Sequence, residues 1–526
     1  MQNANYRYNT WDPINETDIK GLSGILNTGN TCYMNSAVQA FGHNYQLTHF
    51  LFTYELDILE ILKINASRIF KESSAFDPTN TTSNVPLALR LKIHSADYDP
   101  NTLTEDESNI IYNSTITVQL MKLLKGIWRK NSVIVPTSFK KIFSEARDKF
   151  FYGYEQHDAE EAYSCILQKM QEELAQEKNI MFNINKQSVR DFIVYKNKIS
   201  EHIRKTTSYD EKRSLLDEYM RTKHERPMES LNIEAYREMK KYYGSNYSRV
   251  TEIFTGFLHS SINCPKPECG YSSNKFDAFL SLSLPLPSQV NSRPAPILNS
   301  RYALYNNYSN NYGTQINIQD CFKEYSKEEK LDENNLWSCE GCNCKVSAIK
   351  KLQLWKAPTI LVIQLKRFGY DRSRKDNRLV HFPLEHLDIS SMISQYSFDP
   401  SECYKYRLQC VINHSGGLHG GHYFSYCLDD DTKKWYKYDD ERVSLISSNI
   451  IVSSTAYLLF YMREDMIDPS TMSTPVDNST PSALSVWADY NDAISTIKSD
   501  INSNTKPTND DNNAGEPDLS GITSLF

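Results

Sequence analysis

The segment Gly21-Leu22-Ser23-Gly24-Ile25-Leu26-Asn27-Thr28-Gly29-Asn30-Thr31-Cys32-Tyr33-Met34-Asn35-Ser36 constrains this chain more than any other stretch. Gly29 and Asn30 favour a tight turn. From about Cys32 onward, Met34, Ala37, Val38 and Phe41 recur at helical spacing. A thiol at a helix start faces unpaired N–H groups and the positive end of the helix dipole, and both favour the nucleophilic thiolate. Attack on a carbonyl also needs donors aimed at the developing oxyanion. The backbone N–H of Cys32 can be one, and the carboxamide of Asn27, just upstream across the turn, can be another. Most cysteines at helix starts are simply buried, so a general base has to decide the matter.

Near the other end lies His414-Ser415-Gly416-Gly417-Leu418-His419-Gly420-Gly421-His422-Tyr423-Phe424-Ser425-Tyr426. Glycines beside a histidine let another backbone or a ligand approach closely. His422 stands where this loop becomes an alternating strand. The runs Tyr423–Leu428 and Lys433–Tyr438 are joined by Asp429-Asp430-Asp431-Thr432, a plausible hairpin loop. If Leu428 pairs with Lys433, His422 faces Asp439, close enough for a carboxylate to orient an imidazole. A longer loop shifts the partner to Asp440 or Glu441. Cys, His and Asp in this chain order describe a papain-type thiol hydrolase.

At 526 residues and 40% hydrophobic, with 34 Tyr and 22 Phe, the chain can bury a sizeable core. A net charge of −7 argues against a nucleic-acid coat. No signal peptide and no membrane span are expected, since no apolar run approaches bilayer length. Eleven cysteines without a secretory signal suggest a reducing compartment, cytoplasm or nucleus, and a monomer is expected. Residues 1–20 look like an irregular lead-in. Residues 72–110, rich in Ser, Thr, Asn and Pro, read as a loop insertion, 175–245 as an inserted helical hairpin or arm, and 288–311 as a polar insertion. A second helix starts near His157, with Tyr163, Ile166, Leu167, Met170 and Leu174 on one face. Strands are expected at Thr359–Leu365, Tyr406–Asn413, Tyr423–Leu428, Trp435–Tyr438 and Ala456–Met462. Residues 465–526 have the composition of a disordered tail, with one short amphipathic helix over Ala483–Ile497.

Four motifs in order resemble the ubiquitin-specific protease family of deubiquitinating enzymes. The Cys segment is G-L-x-x-x-L-N-T-G-N-T-C-Y-M-N-S (Gly21–Ser36), and the His segment is H-S-G-x-x-H-G-G-H-Y (His414–Tyr423) followed by W-Y-K-Y-D-D (Trp435–Asp440). Between them stand Gln156-His157-Asp158-Ala159-Glu160-Glu161 and Leu361–Phe368, with Phe382-Pro383 beyond. The resemblance spans about Gly21 to Met462 and implies an α+β fold: a papain-like core of helical thumb and β palm, with β fingers gripping ubiquitin. It implies Cys32 as nucleophile, His422 as base, Asp439 as orienting residue with Asp440 in support, and Asn27 in the oxyanion hole. Gln156 and Asp158 would hold the basic tail of ubiquitin, and Phe368 and Tyr423 would line a channel admitting only its diglycine end.

Cys264-Pro265-Lys266-Pro267-Glu268-Cys269 and Cys339-Glu340-Gly341-Cys342 are two close pairs, each able to supply two thiolates to a tetrahedral zinc site. The family often carries a structural zinc at its fingertips. Here the first pair is C-x4-C where C-x2-C is usual, and Cys344 adds a competing thiol. No cofactor is expected for catalysis. Two rival readings remain: a catalytically weak ubiquitin-binding scaffold, and a thiol protease for a ubiquitin-like modifier.

Overall fold

The computed structural model describes residues 20–129, 131–179, 186–288, 316–368, 375–417 and 420–466. The expectations for the lead-in before Lys20, for 289–311, for the tail from 467 on, and for a helix at Ala483–Ile497 lie outside the described residues. Two compact units divide the chain: Met1–Ile180 with Glu238–Ile467, and Met181–Arg237 with Asp468–Phe526.

The first unit is built around an eight-stranded sheet. Its order is Arg442–Ile446, Lys434–Asp439, Gly421–Asp429, Lys405–Gly416, Ala456–Arg463, Ile360–Lys366 and Leu282–Pro285, with Leu387–Asp388 added to Lys405–Gly416. The runs ILVIQLK and AYLLFYMR are buried almost without interruption, as strands covered on both faces must be. On one face lies the helix Cys32–Gly42, every residue of which is buried. A helix apolar or small on all sides belongs inside a protein, not on its surface. The helix Ala159–Leu174 packs beside it. Its expected face of Tyr163, Ile166, Leu167, Met170 and Leu174 is buried to 1% exposure or less. The Tyr163 ring stacks on Phe41 at 5.2 Å and meets Phe460 edge-on at 5.3 Å, so it joins helix, helix and sheet.

Beyond the palm, a second sheet has the order Ser272–Phe279, Gly256–Asn263, Ile349–Lys356 and Glu329–Lys330. The short hairpin Trp337–Cys339 with Cys344–Val346 stands beside it. These strands are only half buried, in contrast to the palm. The α+β layout of helices, central sheet and separate finger strands is the one expected.

The 72–110 segment is not a loop. It contains the helices Leu87–Ile93 and Glu105–Asn113, with a small core of Phe70, Phe76, Leu89, Ile93 and Ile111. Thr104 and Glu107 form a capping box that starts the second helix, a T-x-x-E signal present in the sequence but masked by its polar surroundings. In the second unit, helices Gln187–Lys205 and Tyr209–Glu225 are followed by Pro227–Asn246, which runs on into the first unit. Val189, Phe192, Ile193, Tyr219 and Ile233 form the second unit's core.

One buried carboxylate organises the helical side of the first unit. Glu173 accepts from the backbone N–H of Ile116 and of Thr117 at 2.8 Å each, and from the Thr117 hydroxyl at 2.6 Å, so it caps the start of Ile116–Arg129. Glu173→Gln turns one acceptor oxygen into an N–H2 facing an N–H. The expected loss is about 2 kcal/mol of stability, read as a lower urea midpoint at unchanged slope; an unchanged midpoint contradicts the capping role.

Candidate active site

Asn27 builds the turn that precedes Cys32. Its side-chain oxygen accepts from the N–H of Gly29 (3.0 Å) and of Thr31 (3.1 Å). Gly29 and Asn30 take positive φ, +103° and +51°, and turn the chain into the helix. The Asn27 N–H2 donates to Asp440 at 2.8 Å, and its backbone N–H donates to Glu441 at 2.8 Å. Asn35, one helical turn past Cys32, donates to the other Asp440 oxygen at 2.7 Å. Ile25 N–H donates to the Asp440 carbonyl at 2.8 Å. Asp440 therefore ties both flanks of the Cys32 turn to the far end of the chain.

Cys32 is the first helical residue and only 4% exposed. Burial raises its thiol pKa, the N–H groups of Tyr423, Tyr33 and Cys32 itself lower it, Asp440 raises it, and the net shift is upward. The helix start alone therefore does not produce a thiolate, contrary to the expectation from sequence, because desolvation outweighs the helix N–H groups. The Tyr423 N–H belongs to the residue after His422, so the thiol faces the start of the histidine strand.

The histidine hairpin differs in register from the expected one. Ser425 pairs with Tyr438, Leu428 with Trp435 and Asp429 with Lys434, which moves the loop to 430–433. The Asp429 carboxylate accepts from the N–H of Asp431 (2.9 Å) and Thr432 (3.1 Å), and Lys433 adopts φ +54°, closing the turn one residue later. Continued to its end, this ladder sets Asp439 opposite Phe424 and diagonal to His422. The slip is even, so Asp439 keeps the face it shares with His422. His422 Nε2 lies 2.5 Å from Asp439 Oδ1, and Lys437 donates to the other oxygen at 2.7 Å. Burial raises the Asp439 carboxyl pKa, but Lys437 and His422 outweigh it and hold the group below its ordinary value. With Nε2 on the carboxylate, Nδ1 is the ring nitrogen left for other chemistry.

Three of the remaining expected residues, Asp158, Phe368 and Tyr423, gather around Tyr457. Asp158 caps the helix Ala159–Leu174 by accepting from Glu160 N–H at 2.7 Å, and accepts from the Tyr457 hydroxyl at 2.7 Å. Burial pushes its carboxyl up to about 6 against those bonds. The rings of Phe368 and Tyr423 lie 5.7 Å and 6.2 Å from Tyr457, and 5.5 Å and 4.6 Å from His414. Gln156 accepts from Gly421 N–H at 3.2 Å. A Cβ on Gly421 would stand 2.1 Å from the His414 ring and 2.6 Å from the Ser415 carbonyl, so only glycine fits there. Tyr457 and His414 were not singled out from the sequence. His414 lay inside the quoted motif, and Tyr457 gave no local signal because its partners are distant in the chain.

At the fingertips, Cys264, Cys269, Cys339 and Cys342 bring their sulfurs within 4.8 Å of one another. The pairs Cys264–Cys342 and Cys269–Cys339 are 4.0 Å and 3.6 Å apart. Four thiolates around zinc at ~2.3 Å stand about 3.8 Å apart, so the donor set fits that ion. The longer first pair is accommodated by a knuckle in which Cys269 N–H donates to Lys266 O at 3.0 Å and Gly270 takes φ +59°. Cys344 stands outside the four, with its thiol on the Cys342 carbonyl at 3.2 Å.

A buried thiol at a helix start, beside a His–Asp pair set on two adjacent strands, is the layout of a papain-type thiol hydrolase. The family model described as "Ubiquitin carboxyl-terminal hydrolase" matches residues 23–461, and the chain belongs to that family, a class of thiol-dependent hydrolases. It is 46% identical over 464 residues to "Probable ubiquitin carboxyl-terminal hydrolase R319" of Acanthamoeba polyphaga mimivirus, covering 87% of this chain and 95% of the relative. It is 28% identical to ubiquitin carboxyl-terminal hydrolase 2 of Bos taurus over 86% of this chain, but spans only 56% of that longer protein. Among solved structures, the SAGA Ubp8/Sgf11/Sus1/Sgf73 DUB module bound to ubiquitin aldehyde is similar at 21% identity and a TM-score of 0.45, over 84% of this chain and 70% of that one.

Asp440→Ala removes the acceptor of the Asn27 amide and the shortest of the Asn35 amide's bonds, leaving Asn35 only the longer ones to the Ile25 and Leu26 carbonyls, and is expected to cost about 2 kcal/mol. Asp440→Asn retains one acceptor oxygen and is expected to cost less. Equal urea midpoints for wild type and Asp440→Ala contradict this.

Proposed function

We propose that this chain hydrolyses the isopeptide or peptide bond after the C-terminal glycine of ubiquitin, through a thioester on Cys32. The observation that carries the reading is the contact of Asp439 with His422, whose strand faces the Cys32 thiol through the Tyr423 N–H. Because burial raises the Cys32 pKa, the thiol keeps its proton until a base takes it. In this reading His422 Nδ1 is that base, and Asp439 stabilises the imidazolium that forms. The sulfur attacks the glycine carbonyl carbon. The oxyanion is met by the Cys32 N–H and by the Asn27 N–H not used on Asp440. His422 then gives its proton to the departing lysine amine, and later takes one from the water that cleaves the thioester.

The ring cluster of Phe368, Tyr423, His414 and Tyr457 supports a narrow entry suited to a tail without side chains. Asp158, with Gln156, is the anionic group that would hold the basic stretch of the tail. The four finger thiols would hold a structural Zn²⁺, which ties the two finger loops together and takes no part in the proton transfers.

Wild type is expected to release a fluorophore from a ubiquitin C-terminal amide, and Asn27→Ala to do so about 100-fold more slowly. Cys32→Ala is expected to be inactive while still binding ubiquitin. Binding by wild type without turnover would instead mark a scaffold, and turnover only of a ubiquitin-like amide a different modifier.

The Asp158 carboxyl sits at about 6. Below that pH it is neutral and holds a cationic tail less well, so KM is expected to rise as pH falls through about 6. Asp158→Asn should flatten this profile and raise KM about tenfold at neutral pH; a wild-type KM independent of pH contradicts the assignment. Purified protein should carry roughly one zinc per chain, and Cys339→Ser should lose it together with thermal stability. Metal content near zero in wild type would refute the finger site.

A further inference from the structure

Beneath the Cys32 helix lies a second pair of thiols that the hydrolytic site does not use. Cys410 and Cys427 are direct partners on the antiparallel strands Lys405–Gly416 and Gly421–Asp429, and their sulfurs are 3.3 Å apart. They are 1% and 0% exposed. Cys427 Sγ is 3.9 Å from the carbonyl of Gln39, on the helix that begins at Cys32.

His43, which ends that helix, stands over the pair. Its Nδ1 is 2.9 Å from the Gln39 carbonyl, which can only accept. Its Nε2 is 2.8 Å from the Tyr438 hydroxyl, whose single proton goes to the Gly21 carbonyl at 3.1 Å. With the Tyr438 proton on the Gly21 carbonyl both ring nitrogens donate, the imidazolium state that the neighbouring Cys427 favours by raising the His43 pKa against burial. A buried cation needs an anion. Asp429 lies in its field, and Cys427 beside it is the group that can become a thiolate. Burial opposes that thiolate, but the hydrogen bond from Cys410 and the charge of His43 outweigh it, while burial beside Cys427 keeps the Cys410 thiol protonated. One sulfur is therefore poised to attack and its neighbour to resolve, as redox-active pairs require.

We propose that Cys427 and Cys410 form a redox-active dithiol that a hydroperoxide converts to an intrachain disulfide. The Cys427 thiolate attacks one oxygen of hydrogen peroxide and becomes a sulfenic acid, releasing hydroxide, which takes a proton from His43. The Cys410 thiol then displaces the sulfenic oxygen, forming the S–S bond and water. Each sulfur loses one electron and the peroxide gains two. Burial restricts the oxidant to one barely larger than water and makes the reaction slower than at an open thiol.

The test uses the full chain carrying Cys32→Ala, treated folded with hydrogen peroxide, then unfolded in iodoacetamide and digested with trypsin. Both cysteines fall in one peptide, Leu408–Lys433. It is expected to be unalkylated and lighter by two hydrogens, and to gain alkylation at both cysteines after dithiothreitol. Tyr438→Phe removes the hydroxyl that fixes the second proton of His43 and is expected to slow bond formation about tenfold. A doubly alkylated peptide, after a dose that fully oxidises Cys32 in wild type, would overturn the proposal. So would sulfinic acid at Cys427 beside an alkylated Cys410. An unchanged rate in Tyr438→Phe would remove His43 from it.

Discussion

Two consecutive carboxylates hold the candidate site together. Asp439 ends a strand and contacts His422 at 2.5 Å. Asp440 follows at φ +50° and holds Asn27 and Asn35 with its two oxygens. The strand ends at Asp439 and the chain turns at Asp440, so one turn holds both His422 and the loop before Cys32. The palm brings the segment from Ile25 to Asn35 and the segment around Asp440 together, and this turn fixes them against each other. A Cβ on Gly24 would stand 2.3 Å from the Glu441 carbonyl oxygen, which shows how closely the two backbones meet.

Burial shapes the chemistry of this arrangement more than the helix dipole does. Cys32 has the helix N–H groups expected of an activated thiol, yet desolvation raises its pKa. In the proposed reaction, activation then depends on His422, with Asp439 stabilising its cationic form in a partly enclosed site. The contrast with Cys427 is instructive. That thiol is more deeply buried, but it has the His43 ring beside it, held by the Gln39 carbonyl and the Tyr438 hydroxyl.

Much of this was legible from local pattern. The Gly29–Asn30 turn, the buried helix after it, the Asp158 cap and the palm strands each carry a signal within a few residues. The Asp439 partner was found with a register that the structure corrects. The inference survived because an even slip leaves a side chain on its face, whereas an odd slip would have sent Asp439 away and brought Asp440 in. What the sequence hid depends on distant partners. Asn35 looks like an ordinary helical residue until Asp440 arrives from the other end of the chain. Tyr457 lies in an apolar strand, and only its bond to Asp158 marks it. The helices within 72–110 were obscured because their few apolar residues are spread among Ser, Thr and Asn, and their small core is completed by Phe70 from the preceding helix.

The most direct test of the whole account is to locate the covalent bond. Ubiquitin bearing a C-terminal electrophile is mixed with wild type, and the adduct is mapped by mass spectrometry of its peptides. The geometry predicts a single linkage, on the sulfur of Cys32, formed far more slowly when His422 is replaced by alanine. An adduct on another cysteine, or an equal rate without His422, would contradict it.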